Sequence, residues 1–190
     1  LVDTIVINDG SADETGAIAR KAGASIVIEH IINLGKGGAA KTGCNYAYEH
    51  DYDIIILMDS DGQHEPEDIP RFIEKIEEGK DIVFGYRQGG RSPAAMKLGN
   101  WFLSAMSKLL FGVGIIDTQS GYRAFRKEAY RKIKWESTDY GMESEMIYRA
   151  RKLKYAQIPI KRIYLDDNKG TTVIDGIKIA SQMLRWKLFR

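Results

Sequence analysis

The chain has 190 residues, of which 44% are hydrophobic and 28% charged, with a formal net charge of +2. This composition predicts one globular domain with a sizeable core, and the small net charge gives no reason to expect a nucleic-acid partner. Cys44 is the only cysteine, which excludes an intrachain disulfide and favours a packed, reduced thiol. The most apolar stretch, 101–116, is interrupted by Lys108 and is too short to cross a bilayer.

The first part of the chain alternates between strand and helix patterns. Apolar runs that end in turn residues predict four strands: 4–7, 25–29, 53–58 and 81–85. Periodic segments predict the helices between them: 11–21, 39–49 and 66–78. Ser11 and Glu14 form a capping-box pattern at the start of the first helix. This alternation predicts a doubly wound, parallel α/β sheet.

The second part of the chain begins with a change of pattern. Residues 86–93 are rich in glycine and basic residues, which predicts a mobile loop. Further elements are predicted in this order: a helix at 94–111, a strand at the end of 117–125, a helix at 142–152, a strand at 157–164 and a helix at 171–190. We therefore divide the chain into a domain of residues 1–170 and an amphipathic C-terminal helix of residues 171–190.

Two carboxylates follow the apolar run 54–58 directly, at Asp59 and Asp61. Such a run is typical of a buried strand, and ligands bind at the carboxyl ends of parallel strands. Residues two apart in an extended chain share a face, so both carboxylates can reach one point. Hard oxygen donors of this kind suit Mg²⁺ or Mn²⁺ bound together with a diphosphate. His64 is interpreted as a supporting residue and not as a ligand.

A glycine-rich segment, 35–40, matches the G-x-G-x-x-A fingerprint of dinucleotide-binding proteins. Its distance from the preceding strand is too long for that motif, and a dinucleotide site has no use for a second acid at Asp61. No Ser or Thr follows Lys36, so the segment is not a P-loop either. Two interpretations stay open, a loop whose N–H groups and Lys36 contact a phosphate and a simple helix cap.

Other polar residues are expected near the same edge of the sheet. Asp9 ends the first strand, and Arg87 and Arg91 follow the fourth, where guanidinium groups suit phosphate binding. Each also fits an ordinary turn or loop. Glu143 and Glu145 fit the exposed first turn of a helix. The terminal helix, which contains Trp186, fits either a docked amphipathic helix or a membrane-interfacial one.

Five segments together resemble the family 2 glycosyltransferases of the GT-A fold: VINDGSADET (6–15), NLGKG (33–37), MDSDGQH (58–64), SGYR (120–123) and GMESEM (141–146). The resemblance is greatest to the branch of dolichyl- and polyprenyl-phosphate sugar synthases. It implies an α/β, Rossmann-like, mostly parallel sheet flanked by helices. The family's first strand has no counterpart here, so we expect a GT-A sheet without that strand.

The resemblance also implies roles on the donor side of the site. Asp9 would contact the nucleotide base or ribose, with Lys36 in the same nucleotide-binding region. Asp59 and Asp61 would hold the diphosphate of a GDP- or UDP-linked sugar through Mg²⁺ or Mn²⁺, and Gln63 would support them.

The resemblance further implies that Arg87 and Arg91 meet phosphates, where they would stabilise charge on the departing nucleoside diphosphate, and that Asp117 and Glu145 match acidic positions lining the acceptor side. Lys169 lies near the position of a Ser-Lys pair in the family, here without the serine.

The function that follows from these roles is inverting transfer of a hexose from a nucleotide sugar, of the GDP-mannose or UDP-glucose type, to a polyprenyl or dolichyl phosphate. A lipid acceptor implies a peripheral location at the cytoplasmic face of a membrane. Three alternatives remain at this point: transfer to a saccharide hydroxyl with Asp117 or Glu145 as the base, a nucleotidyltransferase, and a non-catalytic membrane-surface module.

Overall fold

The computed structural model describes residues 2–89, 94–139, 141–161, 163 and 173–189. The predicted site residues Arg91 and Lys169 lie outside the described residues. The described ranges contain six strands: β1 (Ile5–Asn8), β2 (Ile26–Glu29), β3 (Ile54–Leu57), β4 (Ile82–Gln88), β5 (Arg123–Arg126) and β6 (Tyr155–Lys161).

Seven α-helices accompany these strands in the described part of the chain: α1 (Thr15–Lys21), α2 (Lys36–Glu49), α3 (Ile69–Glu77), α4 (Ala94–Phe111), α5 (Lys127–Ile133), α6 (Gly141–Arg149) and α7 (Val173–Phe189). Short 3₁₀ helices at Pro66–Asp68 and Ala150–Lys152 adjoin α3 and α6. Helix α5 was not predicted. None of the helices that the structure describes is both long enough and apolar enough to span a bilayer.

The strands form two hydrogen-bonded sheets in the described residues, where one parallel sheet was predicted. Strands β1 and β2 pair in parallel, and the second sheet has the order β3-β5-β4-β6. Strand β5 is antiparallel to both β3 and β4, while β4 and β6 are parallel. The prediction missed this arrangement because strand direction is set by the route of the chain, which no local pattern records.

Strands β1 and β3 each have a hydrogen-bonded strand neighbour on one side only, within the described residues. Both lie beneath α2: a Cβ at Gly43 of α2 would lie 3.2 Å from Ile7, and Ile5 packs on the core cluster that contains Ile55. The two strands thus share one core beneath the same helix, although within the described residues they do not pair.

Strand β4 is longer than predicted, because it continues through Gly85 to Gln88 in register with β6. Gly85 was interpreted as the end of the strand. A Cβ at this position would lie 3.0 Å from the ring of Phe72 and 3.1 Å from the carbonyl oxygen of Tyr122. The glycine therefore permits close packing inside the strand. Arg87 consequently lies in a strand, and not in the predicted loop.

The predicted capping box at the first helix is wrong. Helix α1 begins at Thr15, and the helix carries no side-chain cap from Glu14. The N–H of Ser11 donates instead to Oδ1 of Asn8, and Oδ1 of Asp13 accepts the N–H of Thr15. Asp13 therefore replaces Ser11 at the start of the helix, because its Asx turn satisfies the Thr15 N–H, which the helix itself leaves without a backbone acceptor.

The main core lies between the four-stranded sheet and helices α2, α5 and α6. It includes Cys44, which is buried as predicted, together with Phe125, Trp135 and Met146. A second cluster joins α4, α6 and α7 through Leu103, Tyr148, Ile179, Met183 and Trp186. Helix α7 is therefore docked by one face onto the rest of the molecule.

Candidate active site

Asp59 and Asp61 follow β3, in a turn whose backbone N–H groups donate hydrogen bonds to side chains of the same turn. The N–H of Asp59 donates to Nδ1 of His64 over 2.9 Å, and the N–H of Gln63 donates to Oδ1 of Asp61 over 3.0 Å. His64 is buried and stacks on Tyr122, and burial lowers the pKa of this imidazole. A neutral ring can accept the Asp59 N–H, as the supporting role predicted for His64 requires.

Lys36, at the start of α2, reaches the first of these carboxylates. Its Nζ lies 2.9 Å from Oδ2 of Asp59 and 2.9 Å from Oε1 of Glu143. Burial alone would lower the pKa of the Lys36 ammonium, but Glu143 and Asp59 outweigh burial and raise that pKa. The structure therefore brings the predicted residues Lys36 and Asp59 together and adds Glu143 to them.

Glu143 was assigned to an exposed first turn, and that expectation is wrong. Helix α6 is buried from Gly141 to Tyr148, with Glu143 and Glu145 each only 1% exposed. Neither carboxylate oxygen of Glu143 accepts a well-aligned hydrogen bond from the described residues, although Lys36 balances its charge. Glu143 thus shares the Lys36 ammonium with Asp59 through its Oε1, while its Oε2 accepts no hydrogen bond from the described residues.

Gly121, immediately before β5, leaves the room that this ion pair occupies. A Cβ on Gly121 would lie 2.6 Å from Oδ2 of Asp59 and 2.9 Å from Nζ of Lys36. Both distances are shorter than real carbon contacts allow. The glycine in the SGYR segment is therefore a steric requirement of the site.

The glycines of the 35–38 loop serve close packing. The N–H of Gly37 donates to the carbonyl oxygen of Thr138 over 2.8 Å, and Nε1 of Trp135 donates to the carbonyl oxygen of Gly37. A Cβ on Gly35 would lie 2.5 Å from the Thr138 oxygen, and one on Gly37 would lie 2.3 Å from the Ser137 oxygen. Close packing, which was neither of the two interpretations left open, accounts for Gly35 and Gly37. The Lys36 side chain points to Asp59, and a phosphate contact of this loop stays a prediction.

Asp9 contacts the start of the same glycine-rich loop, at Leu34. Its Oδ1 accepts Nδ1 of His30 over 2.7 Å and the N–H of Leu34 over 2.9 Å. Burial alone would raise the pKa of Asp9, but these hydrogen bonds lower it below its ordinary value. Because Leu34 contacts Asp9 and Lys36 contacts Asp59, residues 34–36 connect the two acidic positions.

Arg87 and Asp117 form a bidentate ion pair. Nε of Arg87 donates to Oδ2 of Asp117 over 2.6 Å, and Nη2 donates to Oδ1 over 2.9 Å. Asp117 is buried, which alone would raise the pKa of its carboxyl group, but Arg87 outweighs burial and lowers it. A carboxylate held in this way is a weak base.

Arg123 connects the segment that follows Asp117 to helix α6. It is fully buried and donates to the carbonyl oxygens of Thr118, Ser120 and Glu143. Burial lowers the pKa of Arg123 to about 10, which leaves it charged at neutral pH. Arg123 therefore fixes the segment after Asp117 against the first turn of α6.

Glu145 makes a separate set of contacts. Its Oε2 accepts the N–H groups of Glu136 and Ser137 and the Ser137 hydroxyl, and its Oε1 accepts Nε of Arg149. These contacts hold the segment that packs on Gly37. The described contacts of Glu145 do not include Asp59, Asp61 or Asp117, so its catalytic role stays a prediction.

Three residues of the site were not predicted: His30, Arg123 and Glu143. His30 had a usable signal, because it follows β2 as Asp9 follows β1. Arg123 stands in a strand of otherwise buried residues, where an unpaired charge is not tolerated. Glu143 had no such signal, because burial of an entire helix turn depends on the packing around it.

The donor set fits a divalent cation that arrives with a diphosphate. Within the described residues, no three His, Cys, Asp or Glu side chains form a group that could hold a metal ion. Asp59 and Asp61 offer two carboxylates, and substrate phosphates commonly complete such a site for Mg²⁺. Lys36 lies 2.9 Å from Oδ2 of Asp59, so its ammonium would be next to a phosphate held by these carboxylates.

Two known relatives match nearly the whole length of the chain. The chain is 34% identical over 212 residues to a UDP-N-acetylglucosamine–dolichyl-phosphate N-acetylglucosaminyltransferase of Methanococcus voltae, covering 97% of this chain and 84% of the relative. It is 29% identical over 201 residues to an undecaprenyl-phosphate mannosyltransferase of Micrococcus luteus, covering 98% and 82%.

A solved structure shares the fold. Glucosyl-3-phosphoglycerate synthase of Mycobacterium tuberculosis, in complex with Mn²⁺, UDP-glucose and phosphoglyceric acid, superposes with a TM-score of 0.73 at 22% identity, covering 96% of this chain and 68% of that one. The family model described as glycosyl transferase family 2 matches residues 1–134. The chain belongs to glycosyl transferase family 2 and is a glycosyltransferase with the GT-A fold.

Proposed function

We propose that this glycosyltransferase moves a hexose from a nucleotide sugar to a polyprenyl phosphate, with inversion at the anomeric carbon. The observation that carries the proposal is the chain of contacts from Asp9 through residues 34–36 to Asp59 and Glu143. It lines one continuous site with groups suited to a base or ribose, a diphosphate and a sugar. The relatives named for transfer to dolichyl and undecaprenyl phosphate support the choice of acceptor.

On the donor side, Asp9 would accept hydrogen bonds from the base or ribose, since His30 and Leu34 keep its carboxylate ionised and oriented. Asp59 and Asp61 would hold Mg²⁺ or Mn²⁺, with Gln63 supporting the turn. A bound cation of this kind would offset the negative charge that develops on the departing nucleoside diphosphate.

Lys36 and Glu143 would act next to these carboxylates. The Lys36 ammonium balances Asp59 and Glu143 before substrate binds, and it lies where it can also face a phosphate. Oε2 of Glu143, which accepts no hydrogen bond from the described residues, would accept one from a sugar hydroxyl group. Both charged groups are held in place before substrate binds, which is the requirement for electrostatic stabilisation of a transition state.

On the acceptor side, the ion pair of Arg87 with Asp117 favours a phosphate over a hydroxyl acceptor. A hydroxyl group would need a base, and Arg87 lowers the basicity of Asp117. A phosphate is already anionic, so its oxygen can attack the anomeric carbon while the bond to the donor diphosphate breaks and the nucleoside diphosphate leaves with the electron pair. No proton has to be removed in that step.

Some predicted roles lie beyond the described contacts. Arg91 and Lys169 remain candidates for phosphate contacts in this proposal. Glu145 is proposed to act indirectly, by holding the segment that packs on Gly37. A lipid phosphate acceptor would place the enzyme at a membrane surface, and we propose its cytoplasmic face. The family assignment removes the nucleotidyltransferase and the non-catalytic module as alternatives.

The test is sugar transfer from radiolabelled UDP- and GDP-hexoses to undecaprenyl phosphate, with and without Mn²⁺. Asp61→Ala is expected to lower kcat/KM by about a hundredfold or more, because one carboxylate of the diphosphate site is lost. Asp53→Ala is the matched control, since Asp53 is exposed at the opposite end of the same strand. Normal turnover by Asp61→Ala, or equal turnover in EDTA, would refute the assignment.

A further inference from the structure

Helix α4 carries an apolar stripe that faces solvent. Its large exposed residues are Leu98, Trp101, Phe102 and Leu109, with exposed fractions of 65%, 65%, 49% and 84%. Their spacing places all four within about a third of the helix circumference. Leu103 and Ser107, which are buried, lie on the opposite face. The stripe is therefore additional to the face by which α4 packs.

Helix α7 has the same organisation. Ile177, Leu184 and Leu188 are exposed and share one face at spacings of seven and four residues. Trp186 is buried with Ile179 and Met183 on the other face. The tryptophan that suggested an interfacial helix in the sequence is therefore internal, and the exposed tryptophan of this region is Trp101 of α4.

The two stripes lie side by side. Helices α4 and α7 pack against each other, and both pack on α6 through a cluster that includes Leu103, Tyr148 and Met183. Helices α4 and α7 form one layer over α6, so the faces that point away from α6 are turned in the same direction. We call the surface formed by the two stripes the α4–α7 outer face. A contiguous apolar surface of this kind marks an interaction site more often than isolated apolar residues do.

The charges beside this face are basic. The exposed basic residues of the two helices are Lys97, Lys108, Lys178, Arg185 and Lys187. Helix α4 contains no Asp or Glu, and Asp175 is the only acidic residue of α7. On a helical projection these basic residues lie about 80–100° from the middle of each stripe. An apolar stripe with basic flanks and an exposed tryptophan is complementary to anionic lipid headgroups over acyl chains.

Helix α4 contacts the acceptor side of the site through its inner face, opposite the apolar stripe. The carbonyl oxygen of Ile116 accepts Nδ2 of Asn100 and Oγ of Ser104, so Ile116 lies against α4. Its side chain is 55% exposed. The next residue, Asp117, forms the ion pair with Arg87.

We propose that the α4–α7 outer face docks on an anionic lipid surface, with α4 lying between that surface and Asp117, so that the site takes its acceptor from the same surface. This inference rests on the proposed function for the nature of the acceptor. The binding surface itself rests on the exposed stripes and their basic flanks. Docking requires two helices, so the C-terminal helix alone does not define the interface.

The experiment is flotation with vesicles of phosphatidylcholine containing about 30% phosphatidylglycerol. The double variant Trp101→Ser and Leu188→Ser removes one anchor from each helix, and its partition coefficient is expected to fall by about tenfold or more. Ile18→Ser is the matched control, since Ile18 is 62% exposed on α1, which packs on β1 and β2. It is expected to bind like wild type. Thermal unfolding of each variant verifies its fold.

A second measurement distinguishes failure of the docking proposal from failure of the proposed function. Transfer to a short-chain, water-soluble polyprenyl phosphate without vesicles is expected to be the same in wild type and in the double variant. Loss of vesicle binding with transfer retained supports the proposal. Wild-type protein that fails to float, or a double variant that floats equally well, overturns it. So does a dimer, seen by sedimentation, that the double variant converts to monomer. Absence of transfer with binding intact overturns the proposed function alone.

Discussion

Replacing Lys36 by methionine tests the electrostatic centre of the site. The Nζ atom lies 2.9 Å from a carboxylate oxygen of both Asp59 and Glu143. At an effective dielectric constant of about 20, each contact corresponds to about 6 kcal/mol of Coulomb energy before desolvation is subtracted. Asp59 is 31% exposed at its side chain and regains water in the variant, whereas Glu143 is 2% exposed and does not. We therefore expect Lys36→Met to lower the free energy of unfolding by about 3 kcal/mol.

The matched variants are Glu143→Gln and the double variant Lys36→Met with Glu143→Gln. In the double variant no charge remains buried at position 143, so most of the lost stability is expected to return, leaving a cost of about 1 kcal/mol. Urea unfolding followed by tryptophan fluorescence measures all four proteins, and Trp135 is buried against Gly37 as a reporter. A single variant within about 0.5 kcal/mol of wild type, or a double variant no more stable than the single one, would refute the reasoning.

Three further predictions concern the rest of the site. Asp117→Asn is expected to lower the free energy of unfolding by about 2 kcal/mol at neutral pH. Because the folded-state pKa of Asp117 lies below its ordinary 3.8, this difference should be complete above pH 3.8 and shrink as the pH falls below it. Urea unfolding that shows a constant difference down to about pH 2.5 would count against the ion pair as its cause. Gly121→Ala is expected to weaken binding of a nucleotide sugar with Mn²⁺ by about tenfold or more in calorimetry, because its Cβ would displace Asp59 and Lys36. Gly99→Ala, which meets nothing within 4 Å, should bind normally and gain up to about 1 kcal/mol of stability, and equal binding by both variants would contradict the steric argument. Glu145→Gln is expected to cost about 2 kcal/mol of stability while the folded enzyme keeps its kcat, and a stable variant with kcat lowered about a hundredfold would instead support direct catalysis.

Sequence patterns predicted the elements that bury continuous apolar runs, because such runs depend on the local chain alone. The position of Asp59 and Asp61 after β3 and of Asp9 after β1 follows from this rule. Gly85 shows where the rule fails: a glycine at a turn and a glycine packed under Phe72 have the same local signature, so the end of β4 was misplaced.

The sequence alone determined the α/β class, the acidic pair after a buried strand and the family resemblance, because these features are properties of contiguous residues. The tertiary structure decided that β5 runs antiparallel, that Arg87 closes on Asp117 and that Lys36 bridges Asp59 to Glu143. Each of these partners lies 23 residues or more away along the chain. A pairing over such separations is set by how helices and sheets pack, and a buried charge such as Glu143 becomes recognisable only when its counter-charge is in place.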